Sequence, residues 1–116
     1  MIIELPYPPS VNTYWRLFRG RMLISRAGRN YKTEVVASVL SLPASDRITI
    51  TGDVALRLDV YPPDNRRRDI DNVCKAILDA LGAAKIYQDD SQVSDLRVVR
   101  CGKIAKGKVV ATIGKA

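Results

Sequence analysis

The chain has 116 residues, 47% of them hydrophobic, which is enough apolar material for one core and too little length for two. Nineteen Lys and Arg against twelve Asp and Glu leave a net charge of +7, a balance that favours a polyanionic partner, nucleic acid before membrane. No run approaches the roughly 18 consecutive apolar residues that a membrane span needs. The absence of His excludes histidine triads, histidine general bases and most zinc or iron sites. Cys74 and Cys101 make neither a disulfide framework nor a thiolate zinc site. Any metal would take oxygen ligands, which points to magnesium or manganese. The N-terminal stretch has no basic n-region followed by a cleavable apolar segment, so the expectation is a reduced, cytoplasmic protein.

In chain order, Ile2 to Leu5 reads as a first strand that the prolines from Pro6 to Pro9 terminate. Ser10 to Asn12 reads as loop. Tyr14 to Phe18 and Met22 to Ile24 flank Arg19-Gly20-Arg21, the pattern of a β-hairpin with an arginine tip. Its Arg16, Arg19 and Arg21 are candidate phosphate contacts. Tyr14, Trp15 and Phe18 either stack on bases or belong to the core. Ser25 is an N-cap for a helix reaching about Leu42, with Tyr31, Val35, Val36, Val39 and Leu40 on one face. Arg47 to Ile50 reads as a short strand before Gly52. Val54, Leu56, Leu58 and Val60 alternate as in a half-buried strand. Ile70, Val73, Cys74, Ile77, Leu78 and Leu81 share the apolar stripe of a second helix, with Gly82 as its C-cap. A strand from Leu96 toward Lys103, a Lys106-Gly107 turn and a last strand from Val109 to Ile113 complete the chain. The order implies one α+β domain spanning residues 1–116, with a mixed or antiparallel sheet and two helices.

The stretch from Arg66 to Lys75 carries the chemistry. Arg66, Arg67 and Arg68 run directly into Asp69 and Asp71. On an α-helix positions i and i+2 lie roughly 200° apart, so the two carboxylates share a side only on extended backbone leading into the helix. Held close, they repel unless a cation lies between them. Asp89-Asp90 follows as a second acidic pair, and eight of the twelve acids fall between Asp59 and Asp95. An acidic focus on a basic chain suits metal-assisted phosphodiester hydrolysis, in which one or two magnesium ions held by a few carboxylates activate water and neutralise phosphate charge. Asp69, Asp71 and one of Asp89 or Asp90 would suffice. Lys75 either pairs with Asp71 and Asp79 at i±4 along the helix or meets a phosphate. Asp69 or Asp71 could instead cap the helix, leaving Asp89-Asp90 a solvated turn. The three arginines would hold flanking phosphates without base specificity.

The segments Arg67-Arg68-Asp69-Ile70-Asp71-Asn72-x-x-Lys75, Leu78-Asp79-Ala80-Leu81 and Asp89-Asp90-x-Gln92-Val93 together resemble the RusA family of Holliday-junction resolvases. Pro8-Pro9-Ser10-x-Asn12-x-Tyr14, Arg19-Gly20-Arg21 and the Arg97-Val98-Val99 strand extend the likeness essentially end to end. The resemblance implies a RusA-like fold and a homodimeric, magnesium-dependent endodeoxyribonuclease, common on prophages, with manganese as substitute ion. Such an enzyme cuts four-way DNA junctions symmetrically in recombination and repair. It assigns three essential aspartates to Asp69, Asp71 and Asp90 and an essential lysine to Lys75, with Asp89 a neighbour less clearly a ligand. The early loop departs from the family pattern, being more apolar at Val11, Thr13, Trp15, Leu17 and Phe18. A two-fold dimer matches a junction that is itself approximately two-fold and needs two matched incisions. The rival readings are a less selective nuclease of branched DNA and a non-catalytic junction-binding protein.

Overall fold

A computed structural model describes residues 1–116. The elements are β1 (Ile2–Leu5), α1 (Val11–Tyr14), β2 (Trp15–Phe18), β3 (Arg21–Ile24), α2 (Arg26–Leu40), β4 (Val54–Tyr61), α3 (Cys74–Ala83), β5 (Val93–Arg100) and β6 (Lys108–Lys115). Four strands form one sheet in the order β1-β6-β4-β5, and β2 with β3 forms a separate hairpin. β4 runs antiparallel to β6 and parallel to β5, so α3 is the crossover that two parallel neighbours require. The expected α+β fold with a mixed sheet is what the chain adopts.

Alternation along the strands selects the buried face. Val54, Leu56, Leu58 and Val60 of β4 point to the same side as Val109, Ala111 and Ile113 of β6, with Leu56 opposite Ile113 and Leu58 opposite Ala111. Tyr31, Val35 and Val39 of α2 and Ala76, Ile77, Ala80 and Leu81 of α3 complete one cluster of 21 buried residues. Ile77 is fully buried at the centre of α3; truncating such a side chain to Ala typically costs about 2–5 kcal/mol through lost transfer energy and a residual cavity.

Five expectations shift. Residues Ile70–Val73 wind as a 3-10 turn before α3 begins. That turn advances about 120° per residue instead of 100°, so Ile70 leaves the stripe and is exposed, while Ala76 and Ala80 join Val73, Ile77 and Leu81 inside. Val11–Tyr14 is one helical turn where loop was expected. Arg47 to Ile50 makes no strand: Ile50 alone forms a parallel bridge, to Tyr87, and its N–H donates to the Ile86 carbonyl at 2.8 Å. β5 begins at Val93 and ends at Arg100, three residues earlier than expected at each end. The C-terminal residue of left-handed conformation after α3 is Lys85, at φ 64°, and not Gly82.

Candidate active site

At the end of β4 the chain turns through Pro62 and Pro63 into the arginine loop. Asp64 organises that loop. Its Oδ1 accepts the Arg66 N–H at 2.9 Å and lies 2.8 Å from the Arg68 guanidinium. Those two contacts, the Arg68 hydrogen bond foremost, hold the Asp64 carboxyl below the usual carboxylate range. Arg68 also lies over the Tyr7 ring at 5.8 Å, and Arg100 of β5 donates to the Arg68 carbonyl. Arg68 is therefore a fixed bracket. Arg66, with its side chain 83% exposed and its Nε 3.8 Å from Asp64, and the exposed Arg67 project outward. Between these groups lies a cavity of about 320 Å³, lined among others by Arg66, Arg67, Arg68, Asp69, Arg100 and Lys103. It opens at the carboxyl ends of the parallel strands β4 and β5, where open sheets generally present ligand sites.

Asp69 closes the loop. Its backbone is extended (φ −74°, ψ 138°) and it occupies the N-cap position of the 3-10 turn without making a side-chain hydrogen bond. Capping does not account for Asp69. Asp71 is exposed on the turn, and its charge adds to the burial that pushes up the Cys74 thiol.

In the first turn of α3, Lys75 points toward the second acidic pair. Its Nζ lies 3.2 Å from Asp79 Oδ1, 3.9 Å from Asp90 Oδ2 and 5.9 Å from the centre of the Trp15 ring. The other oxygen of Asp79 accepts a 2.8 Å hydrogen bond from Tyr14 Oη. Asp90 is held above the usual carboxylate range, chiefly by desolvation. The Asp79 and Asp89 charges add to the shift, and Lys75 opposes it. Asp89 behaves differently. It caps a 3-10 turn, accepting the Ser91 N–H in a capping box with Gln92, and that bond lowers its pKa. The Gln92 amide then donates to the carbonyls of Ile50 and Gly52, fixing the acidic turn to the core.

The candidate residues of the arginine loop, α3 and the second acidic pair thus form two groups, and Asp71 lines neither of them. Asp69 and the arginines line the cleft, while Lys75, Asp79, Asp89 and Asp90 line an open groove. No three carboxylates lie close enough together to cage a cation. What they offer is hard oxygen donors without histidine or an exposed thiol. That suits a divalent ion which takes one or two carboxylates and completes its shell with water and substrate oxygens. The hairpin separates its aromatics: Tyr14 is fully buried, Trp15 is partly buried, and Phe18 is exposed with the Arg16 and Arg19 guanidinium groups each 5.2 Å from its ring. The link from Tyr14 to Asp79 spans 65 residues of sequence, and no local pattern announces it.

The profile of the family described as Endodeoxyribonuclease RusA matches residues 6–113. The chain belongs to the RusA family. Both groups of candidate residues fall inside the matched segment. Among curated relatives, the crossover junction endodeoxyribonuclease rusA of Enterobacteria phage HK97 is 40% identical over 90% of this chain and 86% of its own length. The protein of the same name from Escherichia coli (strain K12) is 41% identical over 96% of this chain and 91% of its own. That of Enterobacteria phage 82 is 42% identical, with the same shares covered. The chain is accordingly an endodeoxyribonuclease, and RusA membership implies a divalent-metal requirement. Phage relatives agree with the expected prophage association. No helix is long and apolar enough to cross a membrane.

Proposed function

We propose that this protein, as one RusA-like endonuclease domain over residues 1–116, resolves four-way DNA junctions by paired, symmetric phosphodiester hydrolysis during recombination and repair. It would do so as a homodimer with magnesium. The observation that carries the reading is the position of Lys75, an ammonium 3.9 Å from Asp90, on a helix whose N-terminal turn adjoins the arginine cleft. Magnesium, with manganese as substitute, would draw its one or two carboxylates from among Asp69, Asp71 and Asp90, and Asp89 would keep its capping role. When bound, the ion supplies charge neutralisation at the scissile phosphate and an acidified water. Lys75 directs positive charge toward the same phosphate. Arg66 and Arg67 hold flanking phosphates, and Arg16, Arg19 and Arg21 extend that contact along the hairpin. Free Cys74 and Cys101 suit the reducing cytoplasm, where the DNA substrate lies.

The edge strand β5 supports the dimer. It has no partner on its outer side, and Leu96 and Val99 are 41% and 38% exposed. In an antiparallel pairing about a two-fold axis through Leu96, Asp95 faces Arg97 of the partner subunit, and the reverse contact repeats it.

The test is cleavage of a labelled immobile four-way junction beside a linear duplex and a flap of the same sequence. Paired symmetric nicks in the junction, lost with chelator and with Asp69→Asn, are expected. Cutting of all three substrates alike would leave a less selective nuclease.

A further inference from the structure

Asp79 belongs to none of the carboxylates assigned to metal, yet it is the acid that Lys75 approaches more closely. Each oxygen of Asp79 has its own partner: Oδ1 lies 3.2 Å from Lys75 Nζ, and Oδ2 accepts the Tyr14 hydroxyl at 2.8 Å. The Asp79 side chain is 16% exposed, and Tyr14 is fully buried. Tyr14 is itself firmly seated. Its carbonyl accepts the Ser25 N–H at 2.8 Å, and α2 packs so tightly on it that a Cβ at Gly28 would fall 3.0 Å from its ring and 2.7 Å from Ile24. Trp15 meets the Tyr14 ring edge-on at 5.2 Å and presents its own ring to the Lys75 ammonium. Tyr14 and Trp15 are also the root of the hairpin that carries Arg16, Arg19 and Arg21.

We infer that Tyr14 and Asp79 are positioning residues that hold Lys75 against Asp90 and join it to the arginine hairpin. An i,i+4 pair on an exposed helix face would leave a four-carbon lysine stem free to swing. Here the carboxylate is oriented from behind by a buried donor, and the ammonium is flanked by an indole. The inference rests on the proposed role of Lys75 in junction cleavage.

The test compares Tyr14→Phe, which keeps the ring and removes the donor, with Asp79→Asn, which keeps the shape and removes the charge. Each is made alone and in a Lys75→Met background. The expected result is a single-turnover cleavage rate, at saturating protein, lowered about tenfold by Tyr14→Phe and about a hundredfold by Asp79→Asn. Junction affinity should stay within about twofold, and each variant should remain fully folded at the assay temperature. In the Lys75→Met background neither substitution should lower the residual rate further, because the group they position is gone. Trp15 is the sole tryptophan, so its emission gives a readout that needs neither metal nor DNA. Red-edge excited emission should change in Tyr14→Phe and should not change between Lys75→Met and the Tyr14→Phe, Lys75→Met double variant.

Equal rate losses with and without Lys75 would overturn the inference, as would an unchanged rate in Asp79→Asn. If the unsubstituted protein cut no junction, the proposed function would fail on its own. Trp15 emission that then ignored Tyr14→Phe would overturn the positioning as well.

Discussion

Arg66, Arg67 and Arg68 are consecutive and chemically identical, yet the structure gives them unequal parts, and salt dependence separates them. Arg68 is neutralised by Asp64 at 2.8 Å and covered by Tyr7, whereas Arg67 pairs with no acid and Arg66 reaches Asp64 only at 3.8 Å. If Arg66 and Arg67 each neutralise one phosphate, Arg66→Gln with Arg67→Gln removes two contacts, and the slope of log affinity against log salt shallows by about 1.8. Between roughly 50 and 200 mM salt the unsubstituted protein should then lose about twelvefold more affinity than the double variant. Arg68→Gln should weaken binding with a slope near that of the parent, because the charge it removes was already paired, and amide exchange across residues 64–68 should accelerate as the bracket opens. The assay is anisotropy of a labelled four-way junction across a potassium chloride series, with chelator present to prevent cutting. The reasoning is refuted if the double variant keeps the parental slope. It is equally refuted if Arg68→Gln shallows the slope by a full contact while its loop stays protected.

Three further outcomes follow from the geometry. Asp90 has its folded-state pKa raised, chiefly by desolvation. Its protonated form therefore favours the fold, and that contribution is lost as pH rises through the folded value. Asp90→Asn should raise the melting temperature at neutral pH with chelator present, by a margin that vanishes once pH falls below the unfolded carboxylate range, as scanning calorimetry at several pH values would show. Lys85 adopts φ 64° at the end of α3, a conformation glycine reaches without Cβ strain. Lys85→Gly should stabilise by about 0.5–1 kcal/mol and lift melting by a few degrees, and a lowered midpoint in urea would contradict it. Leu96→Glu should shift sedimentation from dimer to monomer if β5 forms the two-fold seam, and a dimer of unchanged strength would move the interface elsewhere.

What the sequence disclosed depended on how far apart the interacting residues lie. The alternation of Val54, Leu56, Leu58 and Val60 identifies β4 because a half-buried strand needs nothing beyond itself to be recognised. The stripe of α3 was legible, but its phase was not, since the 3-10 turn at Ile70–Val73 rotates the residues before the helix proper. Arg47 to Ile50 has strand-like composition and no strand to pair with. Its one buried member, Ile50, docks instead on the segment after α3. The acidic focus and the Lys75–Asp79 pairing were visible at i+4 spacing. The selection of Arg68 by Tyr7 and Arg100, and of Asp79 by Tyr14, rests on contacts that only the folded chain creates.

The charges that remain unpaired are the strongest argument about the site. Between Asp64 and Asp71 the chain holds three arginines and three aspartates within eight residues, close enough for every one to find a partner. The pairs that form are those of Asp64 with Arg68 and, more loosely, with Arg66. A segment built only for stability would also satisfy Arg67, Asp69 and Asp71, because each exposed pair contributes a little and like charges left adjacent repel. The turn instead directs the arginines into one cleft and brings Asp69 to its rim, while Asp71 stands exposed on the neighbouring turn. Unmatched groups of opposite sign held side by side suit a ligand carrying both signs in the same order. A phosphate lying against the arginines, accompanied by a divalent cation against the carboxylates, is such a ligand.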